Sequence, residues 1–384
     1  MENINIKSLG PIHSADIDFG DLTFFIGPQA SGKGILLQMI KLLVDGDVIS
    51  ETLKQYGYIL GIDSSDILDR YFGEGISGIW NSKTKILLDG QPYKKRFLIG
   101  KDPGSELNML RESLYYVPAQ RVLCLENGWP RFFTDYDDSV PFVLRYFSET
   151  LRQFLESIAN LNNVIFPMNK ELSAPLRESF NKSIFHNGKF ILDQSVKKRF
   201  KLNIGNSSIP YMAWSAGQKE FMPLLLSFYW LCPPNKTGRV KGIRYVIVEE
   251  PEMGLHPEGI QSVILQIIDL MSRGYKVIIS THSPVLLEFA WAYHYLKQMK
   301  EDNNLFAELF GLKNTHLVEK LFEDILRNKT IKTYYFDRQD ENVIVKDISS
   351  LDAGCGDQST AEWGGLSSFS SKASDIISKI MAKQ

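Results

Sequence analysis

The sequence predicts an α/β fold: a mostly parallel sheet with helices on its faces and an α+β lid or arm inserted into it. Three observations lead there. A short apolar run, a Gly-rich loop and a helical apolar spacing follow one another within residues 22–44. Strand-like and helical segments then alternate between residues 244 and 299, the pattern of a parallel sheet with crossover helices. Between these two parts the apolar period is mixed, which reads as inserted structure.

In chain order, Ile4–Phe19 reads as two strands around the turn at Gly10-Pro11, and Leu22–Ile26 as a buried strand. Ile35–Val44 has helical spacing. The middle holds a basic hairpin-like stretch (Lys83–Leu98), a strand (Ser113–Val117), an amphipathic helix (Phe142–Leu161) and alternating strands in Lys189–Ile204. Gln218–Leu231 is apolar and helical and stops at Pro233-Pro234. Arg244–Val248 and Lys276–Ser280 are strand runs, each followed by a helix, Ile260–Met271 and Val285–Met299. Strands near Tyr334 and Val343 precede a Gly/Ser/Asp-rich stretch and a terminal helix, whose Ile376, Ile377, Ile380 and Met381 form a face suited to docking on the core or on a partner. The expected division is a core of residues 1–50 and 210–345, an inserted lid and subdomain of 51–209, and a tail of 346–384 with its short docking helix. There are no internal repeats and no heptads long enough for a coiled coil.

The chain has 384 residues with 43 basic and 45 acidic side chains, so no global field draws it to nucleic acid or anionic lipid. Nucleic-acid contact would have to be local. Cys124, Cys232 and Cys355 are odd in number and far apart, which argues against a disulfide framework or a zinc site and fits a reducing cytoplasm. The N-terminus lacks the basic-then-apolar export pattern and no apolar run is long enough to span a bilayer, so no membrane partner is expected.

Three motifs carry chemistry. Gly27-Pro28-Gln29-Ala30-Ser31-Gly32-Lys33 lies between a strand and a helix, as a phosphate-binding loop requires. Its glycines let successive N–H groups curl toward phosphate oxygens, the helix N-terminus adds a positive end, and the lysine reaches the β- and γ-phosphates. The hydroxyl residue that should follow and ligate Mg²⁺ is replaced by Gly34. Water fills a vacant Mg²⁺ position readily, so binding should survive better than turnover. Tyr245–Glu250 is an apolar run ending in two acids. Adjacent carboxylates at a buried strand tip need a metal or a polarised water to justify them. Here Glu249 would sit near the metal shell and Glu250 would activate the water. Ser215-Ala216-Gly217-Gln218-Lys219-Glu220 opens the next helix, and taken alone it is an N-cap serine followed by a glycine.

The order of these motifs, followed by Ser280-Thr281-His282-Ser283-Pro284, resembles the ABC ATPase series. It is most similar to stand-alone ABC ATPases related to the OLD-family and RecF/SMC proteins, through Ile26–Lys33, Ser215–Glu220, Val246–Pro257 and Ser280–Pro284. The resemblance implies an ABC/SMC-type P-loop ATPase head using ATP and Mg²⁺. Gly27 to Gly34 would hold the nucleotide. Glu249, Glu250 and His282 would be catalytic, with His282 sensing the γ-phosphate. Tyr116–Arg121 is similar to a strand-end Pro-Ala-Glu-Arg segment, which makes Gln120 a lid residue on nucleotide and metal beside Glu249. Ser215, Gly217 and Gln218 would bind the γ-phosphate of an opposing copy, so a head-to-head homo-oligomer is implied.

OLD-family enzymes carry a Toprim nuclease, whereas the residues after His282 show no acidic Toprim signature. The combination resembles the ATPase subunit of two-gene anti-phage systems of the PARIS type, which implies a separate nuclease effector and a phage-encoded trigger. A RecF-like DNA-repair ATPase and a non-hydrolysing scaffold assembled by ATP stay open as alternatives. Other patterns carry less. Gly73–Gly78 spells GxGxxG but follows a polar helical stretch, unlike a dinucleotide site. Lys94-Lys95-Arg96 and Lys197-Lys198-Arg199 fit sheet-edge protection or phosphate contacts. Asp135, Asp137 and Asp138 lack ligand spacing.

Overall fold

Every residue of the strand Leu22–Ile26 is buried in the computed structural model, which describes residues 1–60, 64–94, 111–159, 163–168, 171–195, 198–233, 238–299 and 303–381. Among these residues the strands are β1 (Asn3–Leu9), β2 (Ile12–Asp18), β3 (Leu22–Ile26), β4 (Trp80–Leu88), β5 (Gln91–Tyr93), β6 (Leu114–Val117), β7 (Leu125–Glu126) and β8 (Trp129–Pro130). They continue with β9 (Val164–Phe166), β10 (Lys189–Asp193), β11 (Arg199–Ile204), β12 (Ser207–Pro210), β13 (Tyr245–Glu249), β14 (Lys276–Ser280), β15 (Ile331–Gln339) and β16 (Asn342–Asp347). Helices alternate with strands in the second half, and the fold is of the α/β class. Of the expected basic stretches, residues 95–97 and Lys197 lie outside the described residues.

The chain folds as two units, one of Met1–Leu36, Ile79–Tyr93 and Ile278–Gln384, the other of Leu37–Gly78 and Lys94–Val277. In the first, the strand order is β5-β4-β1-β2-β16-β15-β3-β14. β1 and β2 pair antiparallel around Gly10-Pro11, with Ile4 on Ile17 and Ile6 on Ala15. The C-terminal hairpin β15–β16 enters between β2 and β3, running parallel to both. Because β3 is flanked on both sides, it reads as a continuous apolar run rather than an alternating one. β15 also supports the loop after β3: a Cβ on Gly27, at φ +149, would lie 2.8 Å from the Phe336 carbonyl oxygen. No side chain fits there.

The tail packs beneath the same strand. Trp363 donates through Nε1 to the Leu351 carbonyl at 3.0 Å, and a Cβ on Gly364 would lie 2.5 Å from the Tyr335 ring and 2.9 Å from Ile26 Cδ1. Gly364 and Gly365 both have positive φ, yet Gly365 meets nothing within 4 Å. Each alanine would pay the left-handed penalty of roughly 1 kcal/mol, and only Gly364→Ala adds overpacking, for a total loss of about 3 kcal/mol. Denaturant midpoints of the two variants measure the difference. Beyond this turn the helix Ser368–Met381 buries no residue, and Ile376, Ile377, Ile380 and Met381 are exposed. Of the two docking surfaces expected for this face, the chain's own core is therefore not used.

The helix Lys33–Gln55, which belongs to the second unit from Leu37 onward, runs well past the expected end at Val44, with a break at Asp45 (φ −121°, ψ 25°). The break has a local cause. The Asp45 carboxylate accepts the backbone N–H groups of Ser113 and Leu114 at 2.9 and 3.1 Å, and the buried Lys41 ammonium at 2.7 Å. Lys41 also donates to Glu112 and to the Leu114 carbonyl, both at 2.6 Å. Burial disfavours the ammonium, but the two neighbouring acids outweigh it and hold its pKa above the ordinary lysine value. The cluster fastens this helix to the start of β6, which pairs parallel with β13. A separate antiparallel sheet, β12-β11-β10-β9, completes the unit with the helices Phe142–Ala159, Ala216–Leu231 and Pro257–Ser272.

Candidate functional site

The first unit holds the Gly-rich loop. It leaves β3 at Gly27, exposes Pro28, Gln29 and Ala30, and enters the helix at the buried Lys33. Ala30 at φ +56 and Gly32 at φ +87 turn the chain back on itself, the curl expected of a loop that gathers backbone amides around an anion. Lys33 Nζ donates to the carbonyls of Gly27 and Pro28 at 2.8 Å and to Ser31 Oγ at 3.3 Å. The ammonium is thus folded over its own loop. Gly34 places no hydroxyl at the next position. Arg338, from β15, donates to the Ala30 carbonyl at 3.2 Å and braces the exposed rim. Nothing in the sequence pattern pointed to Arg338, since the hairpin that carries it lies some 300 residues away.

His282 lies in the same unit. β14 neighbours β3, and past its end the Thr281 N–H donates to the Phe25 carbonyl at 3.0 Å. Ser283 N–H donates to Thr281 Oγ1 at 2.9 Å before the helix Pro284–Met299 begins. The Gly27–Gly34 loop and His282 therefore follow the ends of adjacent strands.

The second unit collects Gln120, Ser215, Gly217, Gln218, Glu249 and Glu250. Glu249 ends β13 and is buried. Its carboxylate accepts Tyr116 Oη at 2.5 Å and the Ala119 N–H at 2.9 Å. Burial pushes this carboxyl above the ordinary glutamate range, while those two hydrogen bonds act in the opposite direction. Glu250 follows at φ +43, a left-handed conformation that costs a non-glycine residue about 1–2 kcal/mol and is held only when its surroundings dictate it.

Arg121 is the main constraint. It is fully buried, and its guanidinium donates from Nη1 to the Glu249 carbonyl and from Nη2 to the Glu250 carbonyl, both at 3.1 Å. Nε donates to the Glu220 carbonyl at 3.0 Å, and Nη1 also reaches the Pro118 carbonyl at 3.4 Å. The Glu220 carboxylate is 3.8 Å from Nε. Burial works against the guanidinium charge, and Glu220, Glu252 and Glu250 counter it. Arg121 closes the Tyr116–Arg121 segment but carried no role in the sequence pattern; the available signal was a permanent charge four residues past the end of a buried strand.

Ser215 caps the helix Ala216–Leu231 reciprocally. Its Oγ accepts the Gln218 N–H at 3.3 Å and its own N–H donates to Gln218 Oε1 at 3.2 Å, a capping box. Gly217 is required sterically, since a Cβ there would fall 2.4 Å from the Gly254 carbonyl oxygen. Gln120 is exposed and stands at the N-cap position of the short turn Arg121–Cys124, where its side chain makes no capping hydrogen bond.

The patterns given less weight are accounted for locally. Asp138 accepts from Tyr58 and Arg70, Asp135 from the Phe132 N–H, and Asp137 from the Ser139 N–H. Arg199 and Lys201 both pair with Asp193. Gly73–Gly78 follows the helix Ser64–Phe72 rather than a strand. Among the described residues no helix is long and apolar enough to cross a membrane.

The residues present suit a nucleotide and Mg²⁺. The loop curled at Ala30 and Gly32 suits binding of phosphate by backbone amides, and in the second unit the buried Glu249 carboxylate at the end of β13 is an oxygen donor suited to a hard cation. Residues 118–288 match a family described as "AAA domain, putative AbiEii toxin, Type IV TA system". The chain is 39% identical over 90 residues to the Old nuclease of Escherichia phage P2, a stretch covering 23% of this chain and 15% of that protein. The chain thus spans only a small part of that relative's length. Similar solved structures include an SMC head bound to the C-winged helix domain of ScpA, 14% identical over 90% of this chain and 96% of that one, at a TM-score of 0.42. Another is the SMC head domain from Thermotoga maritima, 11% identical over 90% and 98%, at a TM-score of 0.37. Residues 118–288, which carry the two acids at the end of β13, are thus similar to that AAA-domain family over less than half of the chain, and the Gly27–Lys33 loop lies ahead of them between a strand and a helix.

Proposed function

We propose that the chain is an ATP-operated switch that binds ATP with Mg²⁺, hydrolyses it slowly, pairs head-to-head with a second copy and controls a separate effector protein. The observation that carries this reading is the pair Glu249–Glu250. One acid is buried and held by Tyr116 and Ala119, and the next is locked in a left-handed turn by Arg121. A fold stabilised only for packing has no use for two such groups side by side.

In this reading the amides of Gln29 to Lys33 and the Lys33 ammonium hold the phosphates, and Glu249 and Gln120 hold the cation. Mg²⁺, when bound, neutralises charge on the phosphate oxygens. Glu250 orients and deprotonates the attacking water, and His282 contacts the γ-phosphate. Ser215, Gly217 and Gln218 bind the γ-phosphate of the opposing copy, so triphosphate favours the closed pair and its loss reopens it. With Gly34 in place of a hydroxyl, water completes the metal's coordination and turnover is slow. The biological setting proposed is anti-phage defence, with a nuclease as effector and a phage product as trigger; the similarity to the Old nuclease supports the link to a nuclease.

Lys33→Ala tests the binding half of this proposal. Losing the charge-assisted contacts to phosphate should weaken ATP affinity about 100-fold, read by titration calorimetry. Unchanged affinity in a folded variant would remove the loop from the site.

A further inference from the structure

We propose that Arg121 is a positioning residue for Glu250, fixing the direction of the catalytic carboxylate through the backbone and tying it to the N-terminal part of the helix Ala216–Leu231. The proposal rests on the reading of Glu250 as the group that activates water.

Three observations carry it. One guanidinium holds the consecutive carbonyls of Glu249 and Glu250, each at 3.1 Å, so it defines the orientation of the peptide units on both sides of the Glu250 Cα. Glu250 sits at φ +43, a conformation that relaxes unless something holds it. The same guanidinium donates to the Glu220 carbonyl at 3.0 Å, five residues after the Ser215 cap. A displacement of the N-terminal part of this helix would therefore reach Glu250 through a single rigid, planar group. Gly217 and Gly254 give the same two segments a second point of contact, backbone against backbone. The arrangement needs arginine specifically. Lysine supplies one nitrogen on a flexible stem and cannot span three carbonyls in a fixed fork.

The test compares the full-length wild type, Arg121→Lys, Glu250→Gln and the double variant, with kcat and ATP affinity measured for each and thermal melting as a control. Positioning predicts that Arg121→Lys lowers kcat about 30-fold, the scale expected when a catalytic group is misplaced by a fraction of an ångström. ATP affinity should stay within about twofold. In the Glu250→Gln background, adding Arg121→Lys should leave the residual rate unchanged, because the group it positions is already disabled. A general packing role would instead lower both backgrounds alike, or lower affinity along with kcat, and would overturn the proposal. A folded Arg121→Lys with wild-type kcat would also overturn it.

If Arg121→Lys fails to fold, Glu220→Gln decides. It keeps the guanidinium but removes the carboxylate 3.8 Å from Nε, and positioning predicts a kcat several-fold lower at unchanged affinity. Wild-type kcat in Glu220→Gln then counts against the proposal. Wild type without turnover, or turnover indifferent to Glu250→Gln, would sink the underlying reading and Arg121's role with it. Turnover that needs Glu250 but ignores both substitutions would sink the proposal alone.

Discussion

Glu250→Gln is expected to lower ATP turnover about 10³-fold, the middle of the range for loss of a general base, while leaving ATP affinity close to wild type. The substitution keeps size and hydrogen-bonding shape, and the left-handed backbone at φ +43, held by Arg121, does not depend on the side-chain charge. Only proton acceptance from water is lost. The variant should therefore accumulate in the ATP-bound state. Light scattering with ATP should show a larger fraction of paired molecules than for wild type. A drop in affinity matching the drop in turnover would instead assign Glu250 to nucleotide binding.

Arg121→Met is expected to cost about 3–5 kcal/mol of folding stability, because it leaves buried groups without their partner. The carbonyls of Glu220, Glu249 and Glu250 all accept from this one side chain, which is fully buried. Methionine fills much of the volume but donates nothing. The denaturant midpoint should fall accordingly, and a shift below 1 kcal/mol would mean that the guanidinium contributes little beyond its packing.

The parts of the molecule legible in the sequence are those fixed by neighbours a few residues apart. The turn at Gly10-Pro11, the buried strand ahead of Gly27 and the Ser215 cap all obey local rules, and the structure places each as expected. β13 runs from Tyr245 to Glu249, one residue later at each end than the apolar run suggested, and its pairing with β6 starts at Tyr245. What could not be read depends on distant partners. The hairpin β15–β16 inserts between β2 and β3, two strands only three residues apart in sequence. The break at Asp45 needs Ser113 and Leu114 to accept from. The periodicity of Ser368–Met381 was visible, but periodicity says nothing about what covers an apolar face. Arg121 illustrates the limit best. Its three principal acceptors lie about 100 and 130 residues further along the chain, so no window around it could disclose the role.

Gly34 makes hydrolysis the decisive question, and the most direct measurement is phosphate release by the purified wild-type chain with ATP and Mg²⁺, alongside its ATP affinity. Slow, Mg²⁺-dependent turnover that Glu250→Gln abolishes is the expected result. Tight ATP binding with no phosphate released above the background of Glu250→Gln would contradict it, and would make the chain a scaffold held together by ATP.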